Sequence, residues 1–573
     1  MRPLFALLVA VPQSAQTVAP VTYEVSVPAP STKLFHVSAD FPTRGKDTLY
    51  VSLPAWSPGI YKVQNYARFV RHFGAKNVAG QPLIWDVLDK NTWRVVTGMS
   101  ERVTAEFDFL ADSIALSWAR IVGDFGQFLG TNLFLYEEGH LDRPADVRFA
   151  LPAGWQVTTA LGGAGPYAAP NYHELADAMT FVGKYSLDSL QVDGKWMRIA
   201  VWPSDAYTAA VQRNLRRTVE KIAKQQNALF AGSPYERYTV FVNVIREPIP
   251  FSGVLEHSAS QFDILSQDAF ADETGTLGGF VVPLMAHGYF HLFNVKRIRP
   301  AEMWPYDYHA EQNTPLLWWF EGVTNYYAHI TSVRAGLWKP YDFLATVARE
   351  MEQVEWTPDP WSKGALTGLL LDIAIRDATD NRRSLDDVTR ALYTRFYQKG
   401  MGFAAADLVG LLREVGMPDA DGFFERYING REPLPYEAVC LNAGITVDRQ
   451  TISRIPFLGI SAQRGDAGAL VVDAVVPGST AEAAGLEPGD ILLKAGDIET
   501  RSDEDWRGKF RDRYRGQAGA PLVISVTRGG QTLTLNAQVR ERPVLLFLLT
   551  LQSSPTKKQA RIWRGLSTGS TNN

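Results

Sequence analysis

Between residues 21 and 192 apolar and polar positions alternate in short runs, such as Thr22-Tyr23-Glu24-Val25-Ser26-Val27 and Leu49-Tyr50-Val51-Ser52-Leu53, broken by proline and glycine. A period of two puts every second side chain on one face of a strand, so this stretch predicts a β-sandwich. After Trp196 the period changes: Val211, Leu215, Val219 and Ile222 lie on one face of a helix, and Tyr238-Thr239-Val240-Phe241-Val242-Asn243-Val244-Ile245 follows as a strand. Residues 193–440 read as an α/β part that turns helical, through Leu369-Leu370-Leu371-Asp372-Ile373-Ala374-Ile375-Arg376 and on to about Pro435. A smaller domain is expected over 450–543 and a tail over 544–573, whose apolar run from Val544 to Leu551 is too short to span a bilayer and is expected to pack on the body. The fold class is multidomain α+β.

Length agrees with this division, since 573 residues at about 150 per domain suggest three or four domains. Hydrophobic residues at 46%, charged residues at 21% and a net charge of −4 describe an ordinary globular chain without the basic footprint of a nucleic-acid binder. Cys440 is the one cysteine, which excludes an intrachain disulfide framework and predicts a small buried residue. Residues 1–20 begin Met1-Arg2-Pro3 and continue with the apolar run Leu4-Phe5-Ala6-Leu7-Leu8-Val9-Ala10-Val11, a signal-like segment that points to export, to the periplasm.

The chemistry is concentrated in Met285-Ala286-His287-Gly288-Tyr289-Phe290-His291-Leu292-Phe293-Asn294-Val295-Lys296-Arg297-Ile298-Arg299-Pro300. Two histidines four apart on a helix point the same way. A carboxylate, Glu321, follows in Leu317-Trp318-Trp319-Phe320-Glu321-Gly322-Val323-Thr324-Asn325-Tyr326-Tyr327 on a second expected helix. Two histidines and one carboxylate give one Zn²⁺ three ligands and leave a fourth position open, as in catalytic rather than structural sites.

These motifs resemble the glycyl aminopeptidase family: zinc peptidases with an N-terminal β domain, a thermolysin-like catalytic domain and a C-terminal PDZ domain. The family pattern is His-Glu-x-x-His, then x-x-Asn-Val-Lys-Arg-Ile-Arg-Pro, then Glu-Gly-x-Thr-x-Tyr-Tyr, and this chain departs from it at one residue. Gly288 stands where the family has the glutamate that takes a proton from the attacking water and passes it to the leaving amine. A second departure is Trp361, in Trp361-Ser362-Lys363-Gly364-Ala365, at the position of a tyrosine that related aminopeptidases use to stabilise the oxyanion. The resemblance also gives Ser252-Gly253-Val254-Leu255-Glu256-His257 the role of an edge strand that pairs with the peptide, Gly253, Glu256 and His257 being substrate-binding candidates. Glu256 is the expected partner of a free α-amino group, and Val254 replaces the family's second glycine. Ala55-Trp56-Ser57-Pro58-Gly59-Ile60-Tyr61 and Asp89-Lys90-Asn91-Thr92-Trp93 look like signature stretches of the N-terminal domain, for which we expect turn and packing roles without catalysis. Phe457, Leu458, Gly459 and Ile460 resemble the carboxylate-binding loop of a PDZ domain, followed by its Pro477-Gly478-Ser479-Thr480-Ala481 pattern.

Three readings stay open at this point. In the first, the chain keeps zinc and holds peptides or unfolded protein segments at N-terminal Gly or Ala, but hydrolyses them poorly for want of the base. In the second it is an active aminopeptidase with a reassigned base, from His257, Glu256 or a water in the space at Gly288. The third is a PDZ-based adaptor that has lost the metal.

Overall fold

The computed structural model describes residues 19–247, 252–356, 359–464, 468–501 and 505–571. The signal-like start expected over residues 1–20 falls, as far as residue 18, outside them. The chain forms two compact units: Met1–Phe343 with Lys363–Gly444 and Ser554–Asn573, and Leu344–Ser362 with Ile445–Ser553.

In the first unit the alternating N-terminal segment folds into one seven-stranded and two four-stranded sheets. The pattern of two works as expected at its centre. Leu34–Pro42 pairs antiparallel with Arg102–Leu110, which sets Phe35, Val37, Ala39 and Phe41 against Phe109, Phe107, Ala105 and Val103. All eight side chains are buried, so one face of this pair makes the core and the other carries the polar positions.

The catalytic elements are numbered from there. Strands β1 (Ser186–Val192) and β2 (Lys195–Trp202) lead into helix α1 (Ala209–Leu229) and strand β3 (Arg237–Ile245). Strands β4 (Gly253–Glu256) and β5 (Ser260–Ser266) complete a sheet of order β1-β2-β3-β5-β4. β1 therefore belongs to this sheet, and the sandwich ends before residue 192, because β1 finds its backbone partners in β2. β3 lies between parallel neighbours and is buried along almost its whole length. Helix α1 buries Val211, Leu215, Val219 and Ile222 and packs on α2 (Val281–His291), which also meets β4 and β5. Helix α3 (Thr324–Arg334) lies against α2.

Helices α4 (Pro340–Trp356) and α5 (Pro360–Ala378) follow. The final helix, α6 (Lys557–Thr568), returns to the first unit, burying Ile562 and Leu566 and accepting a 2.9 Å hydrogen bond at the Leu566 carbonyl from Arg334. Cys440 is buried and its thiol is pushed up to about 12 by burial, as befits an inert packing residue.

The second unit contains the PDZ sheet of Ile460–Arg464, Leu470–Val475, Ile491–Ala495, Pro521–Arg528 and Gln531–Gln538. Its apolar run at 544–551 is not a tail. It lies in Glu541–Leu551, which pairs antiparallel with Ile445–Pro456 as a two-stranded ribbon and so pairs the backbone groups of its inner edge. No helix among the described residues is long and apolar enough to cross a membrane.

Candidate metal centre

His287 and His291 share one face of α2, and their Nε2 atoms lie 2.8 Å apart. Glu321 comes from a π-helical stretch, Trp318–Val323, that runs into α3; such wide turns recur at functional sites because they re-aim a side chain within a helix. Its Oε2 lies 3.6 Å from each of the two Nε2 atoms. These separations bracket the edge of about 3.3 Å expected for a tetrahedron with bonds of about 2.0–2.1 Å to nitrogen and oxygen.

The outer hydrogen bonds decide what the inner atoms can do. His287 Nδ1–H donates to Asn325 Oδ1 at 2.7 Å, and His291 Nδ1–H donates to the Asn294 carbonyl at 2.8 Å. Both Nε2 atoms are therefore the ones that face the same point, and His291 gives up its Nε2 proton when a cation binds there. Asn294 in turn donates to the Trp319 carbonyl at 3.1 Å and to Thr324 at 3.0 Å, which ties the histidine helix to the turn carrying Glu321. Burial and the His291 charge lower His287; burial also lowers His291, but Glu256 and Glu321 outweigh it and lift it to about 9. Burial raises Glu321, yet the two imidazoles hold it well below the ordinary carboxylate range. An anionic carboxylate facing two imidazole nitrogens fits a divalent cation of the zinc type.

Gly288 lies about 60–100° round α2 from the two histidines, on the side that faces β4 and β5. In that ribbon Val254 pairs with Asp263 and Glu256 with Gln261, so all four side chains share one face. A Cβ built on Gly288 would lie 2.5 Å from the Val254 methyl and 3.1 Å from the Gln261 amide nitrogen. Val254 thus fills the room that a side chain at 288 would need. Two departures that are 34 positions apart in the sequence meet in space.

Asp263 is fully buried on the same face, bonded to the Gln261 amide at 3.0 and 3.2 Å, and burial pushes its carboxyl up to about 7 despite that bond. In the unfolded chain the proton leaves at about 3.9. The folded state thus holds an extra proton between those values, so stability falls as pH rises from about 4 to 7. Urea melts should show the wild type losing about 2–3 kcal/mol more than Asp263→Asn between pH 5 and 8. Equal pH dependence in the two proteins refutes the assignment.

β4 is the edge strand of its sheet, with Gly253 opposite Ile264 and facing the Leu116 side chain. Glu256 is 3% exposed, and its Oε1 has no hydrogen-bond partner. His257, one residue on, turns away: its Nδ1 bonds Asp177 at 3.1 Å, and Lys296 joins the same carboxylate at 2.9 Å. Of these two candidates, Glu256 is the one whose charge reaches the histidine pair, while His257 Nδ1 is engaged by Asp177. Trp361 stands at the start of α5 in the second unit, 42% exposed.

A residue given only a packing role from the sequence belongs to this centre. Trp56 is fully buried and donates to the Asp307 carbonyl at 2.7 Å, as a packing aromatic should. Tyr61, five residues on, brings its hydroxyl beside Glu321 and Glu256; burial first, then these two carboxylates, hold its pKa well above the ordinary tyrosine value. No periodicity could have marked it, because it sits in a loop and reaches the centre only through the packing of one domain on another.

In the second unit, Phe457, Leu458, Gly459 and Ile460 line a cavity of about 670 Å³ together with Trp356, Phe510 and Arg542. The Arg542 guanidinium lies 3.3 Å from the Trp356 ring centre and 4.2 Å from that of Phe457. The loop expected to take a carboxylate therefore opens on a cavity.

An aminopeptidase N family protein from Idiomarina loihiensis superposes with a TM-score of 0.75 over 95% of this chain and 99% of its own, at 22% identity, a likeness of fold. Two curated relatives match over a part: the metalloprotease MmpA of Caulobacter vibrioides at 41% identity over 23% of this chain, and the Synechocystis protein HhoB at 33% over 22%. The chain spans 32% and 29% of their respective lengths. Residues 22–184 match the Peptidase M61 N-terminal domain, residues 281–401 the M61 glycyl aminopeptidase, and residues 471–513 a PDZ domain. With both peptidase segments and the PDZ segment in family order around a His-His-Glu centre, the chain belongs to the M61 glycyl aminopeptidase family.

Proposed function

We propose that the protein is a zinc-dependent binder of peptide N-termini, specific for small first residues, in which hydrolysis is strongly impaired. The observation that carries the impairment is the contact between Gly288 and Val254: the base is missing and its space is occupied by an aliphatic side chain. His287, His291 and Glu321 would hold one Zn²⁺, which supplies Lewis acidity toward a carbonyl when bound. The buried, unpartnered Glu256 oxygen is the counter-charge for a free α-amino group, and the edge of β4 offers main-chain pairing to an extended peptide. The PDZ cavity supports a second point of peptide attachment. Export belongs to the same reading, on the signal-like start of the chain.

Calorimetry on zinc-loaded protein tests the binding half. Gly- and Ala-peptide amides should bind, their N-acetylated forms about 10-fold or more weaker, and Glu256→Gln should erase that difference, since a hydrogen bond between charged groups contributes about 1.5–3 kcal/mol. Equal binding of free and acetylated peptides would sink the assignment of Glu256. A wild type without bound zinc favours the adaptor reading.

The unpartnered Glu256 oxygen favours one rival, an active enzyme with Glu256 as base. Zinc-dependent arylamide turnover by the wild type, lost in Glu256→Gln, would establish that rival.

A further inference from the structure

The loop between Thr48–Ser52 and the turn Tyr66–Phe69 brings the N-terminal domain up against Glu256. Its base is pinned: the Ala55 amide donates to the Tyr308 carbonyl at 2.8 Å, Trp56 to Asp307, and Ser57 Oγ bonds Tyr66 at 2.8 Å and Thr131 at 2.6 Å. From that base the loop is driven toward Glu256. Gly59 has φ 105°, and a Cβ there would lie 2.7 Å from Glu256 Oε1, so glycine is required both by its backbone and by the approach.

Two residues later Tyr61 takes a left-handed backbone, φ 55°, a costly conformation for an aromatic residue. The residue is part-exposed, while its hydroxyl is buried beside Glu256 and Glu321, facing the Glu321 carboxylate without well-aligned hydrogen-bond geometry. A buried hydroxyl in that state normally has a partner. Glu256, on the other side, also keeps an oxygen unpartnered. Both oxygens belong to the surroundings of the His-His-Glu centre, and their chemistries are complementary to a peptide N-terminus: a carboxylate accepts from an α-amino group, and a phenol donates to a carbonyl oxygen.

We propose that the Tyr61 hydroxyl donates a hydrogen bond to the first carbonyl oxygen of the bound peptide, or to the oxyanion that replaces it in a tetrahedral analogue, so that the N-terminal domain completes the site. This rests on the peptide-binding reading above and names a further contact within it. The donor works in the neutral state and needs no titration. Its effect is largest on a ligand whose oxygen carries charge, since such hydrogen bonds are roughly twice as strong as neutral ones.

Zinc-loaded full-length protein and its Tyr61→Phe variant are titrated by calorimetry with two probes: a phosphinic Gly-Ala dipeptide analogue, whose tetrahedral oxygens mimic the oxyanion, and inorganic zinc added to metal-stripped protein. Phenylalanine keeps the ring and the backbone, and an unchanged melting temperature checks this. The expected result is a loss of about 10–100-fold in phosphinate affinity, with zinc affinity altered less than threefold. Unchanged phosphinate affinity overturns the proposal. So does a zinc affinity that falls as much as phosphinate affinity, which would make Tyr61 a positioning residue acting through Glu321. If the wild type binds neither zinc nor phosphinate, the functional reading itself fails, and that outcome is distinct from failure of the variant comparison.

Discussion

Gly288→Glu together with Val254→Gly should raise hydrolysis of Gly- and Ala-arylamides by about 10²–10⁴-fold, the usual contribution of a positioned general base. Either substitution alone should give little. Glutamate at 288 with Val254 in place forces its Cβ to 2.5 Å from a methyl carbon, an overpacked contact of the kind that costs about 1–3 kcal/mol and displaces the side chain from its working position. Glycine at 254 alone opens a space and adds no base. A double-mutant cycle on kcat/KM, with zinc quantified in all four proteins, isolates the interaction between the two sites. Strong non-additivity is the expected outcome. A single Gly288→Glu variant as active as the double one would mean that the valine does not guard the position. A double variant with full zinc and no turnover would place the defect elsewhere.

The largest expected loss of stability is at Asp177. Its carboxylate, in the N-terminal domain, bonds Lys296 at 2.9 Å and His257 at 3.1 Å and accepts from the Ser258 amide. Lys296 is 2% exposed, so Asp177→Ala strands a buried ammonium, and breaking such a pair from one side costs about 3–5 kcal/mol. Burial raises the Asp177 carboxyl, but Lys296 and His257 outweigh it and hold the folded value far below the ordinary one. The stabilisation is therefore complete above the unfolded value of about 3.9 and fades as pH falls below it. For Lys296, burial lowers the ammonium, yet Asp177 more than restores it, so its share persists through the whole neutral range. Urea melts should show a constant gap between wild type and variant from pH 5 to 9 that closes below about pH 4. A gap under about 1 kcal/mol at pH 7 would show that water or another carboxylate takes over the ammonium. Because this cluster joins the two domains whose packing brings Tyr61 to the metal, the variant should also weaken peptide binding.

Much of the site was legible in the chain itself. His287 and His291 are neighbours by helical geometry alone, and the spacing needs no tertiary contact to align them. Glu321 was recognisable as their partner from its motif, although the π turn that aims it was not, since one extra residue in a helical turn leaves no mark in periodicity. The alternation in Leu34–Pro42 and Arg102–Leu110 similarly foretold a buried face.

What the sequence determined by itself was local: which stretches are strands and helices, which two histidines face one way, and that a glycine stands between them at 288. The tertiary structure alone decided the rest. It set Val254 against Gly288, so that two separate departures became one packed contact. It sent His257 to Asp177 and left Glu256 at the centre, and it carried Tyr61 across from another domain. The reason is that helical and strand periods constrain only residues a few positions apart, whereas contacts between distant segments depend on how buried faces pack, and that is settled by shape and volume across the whole core.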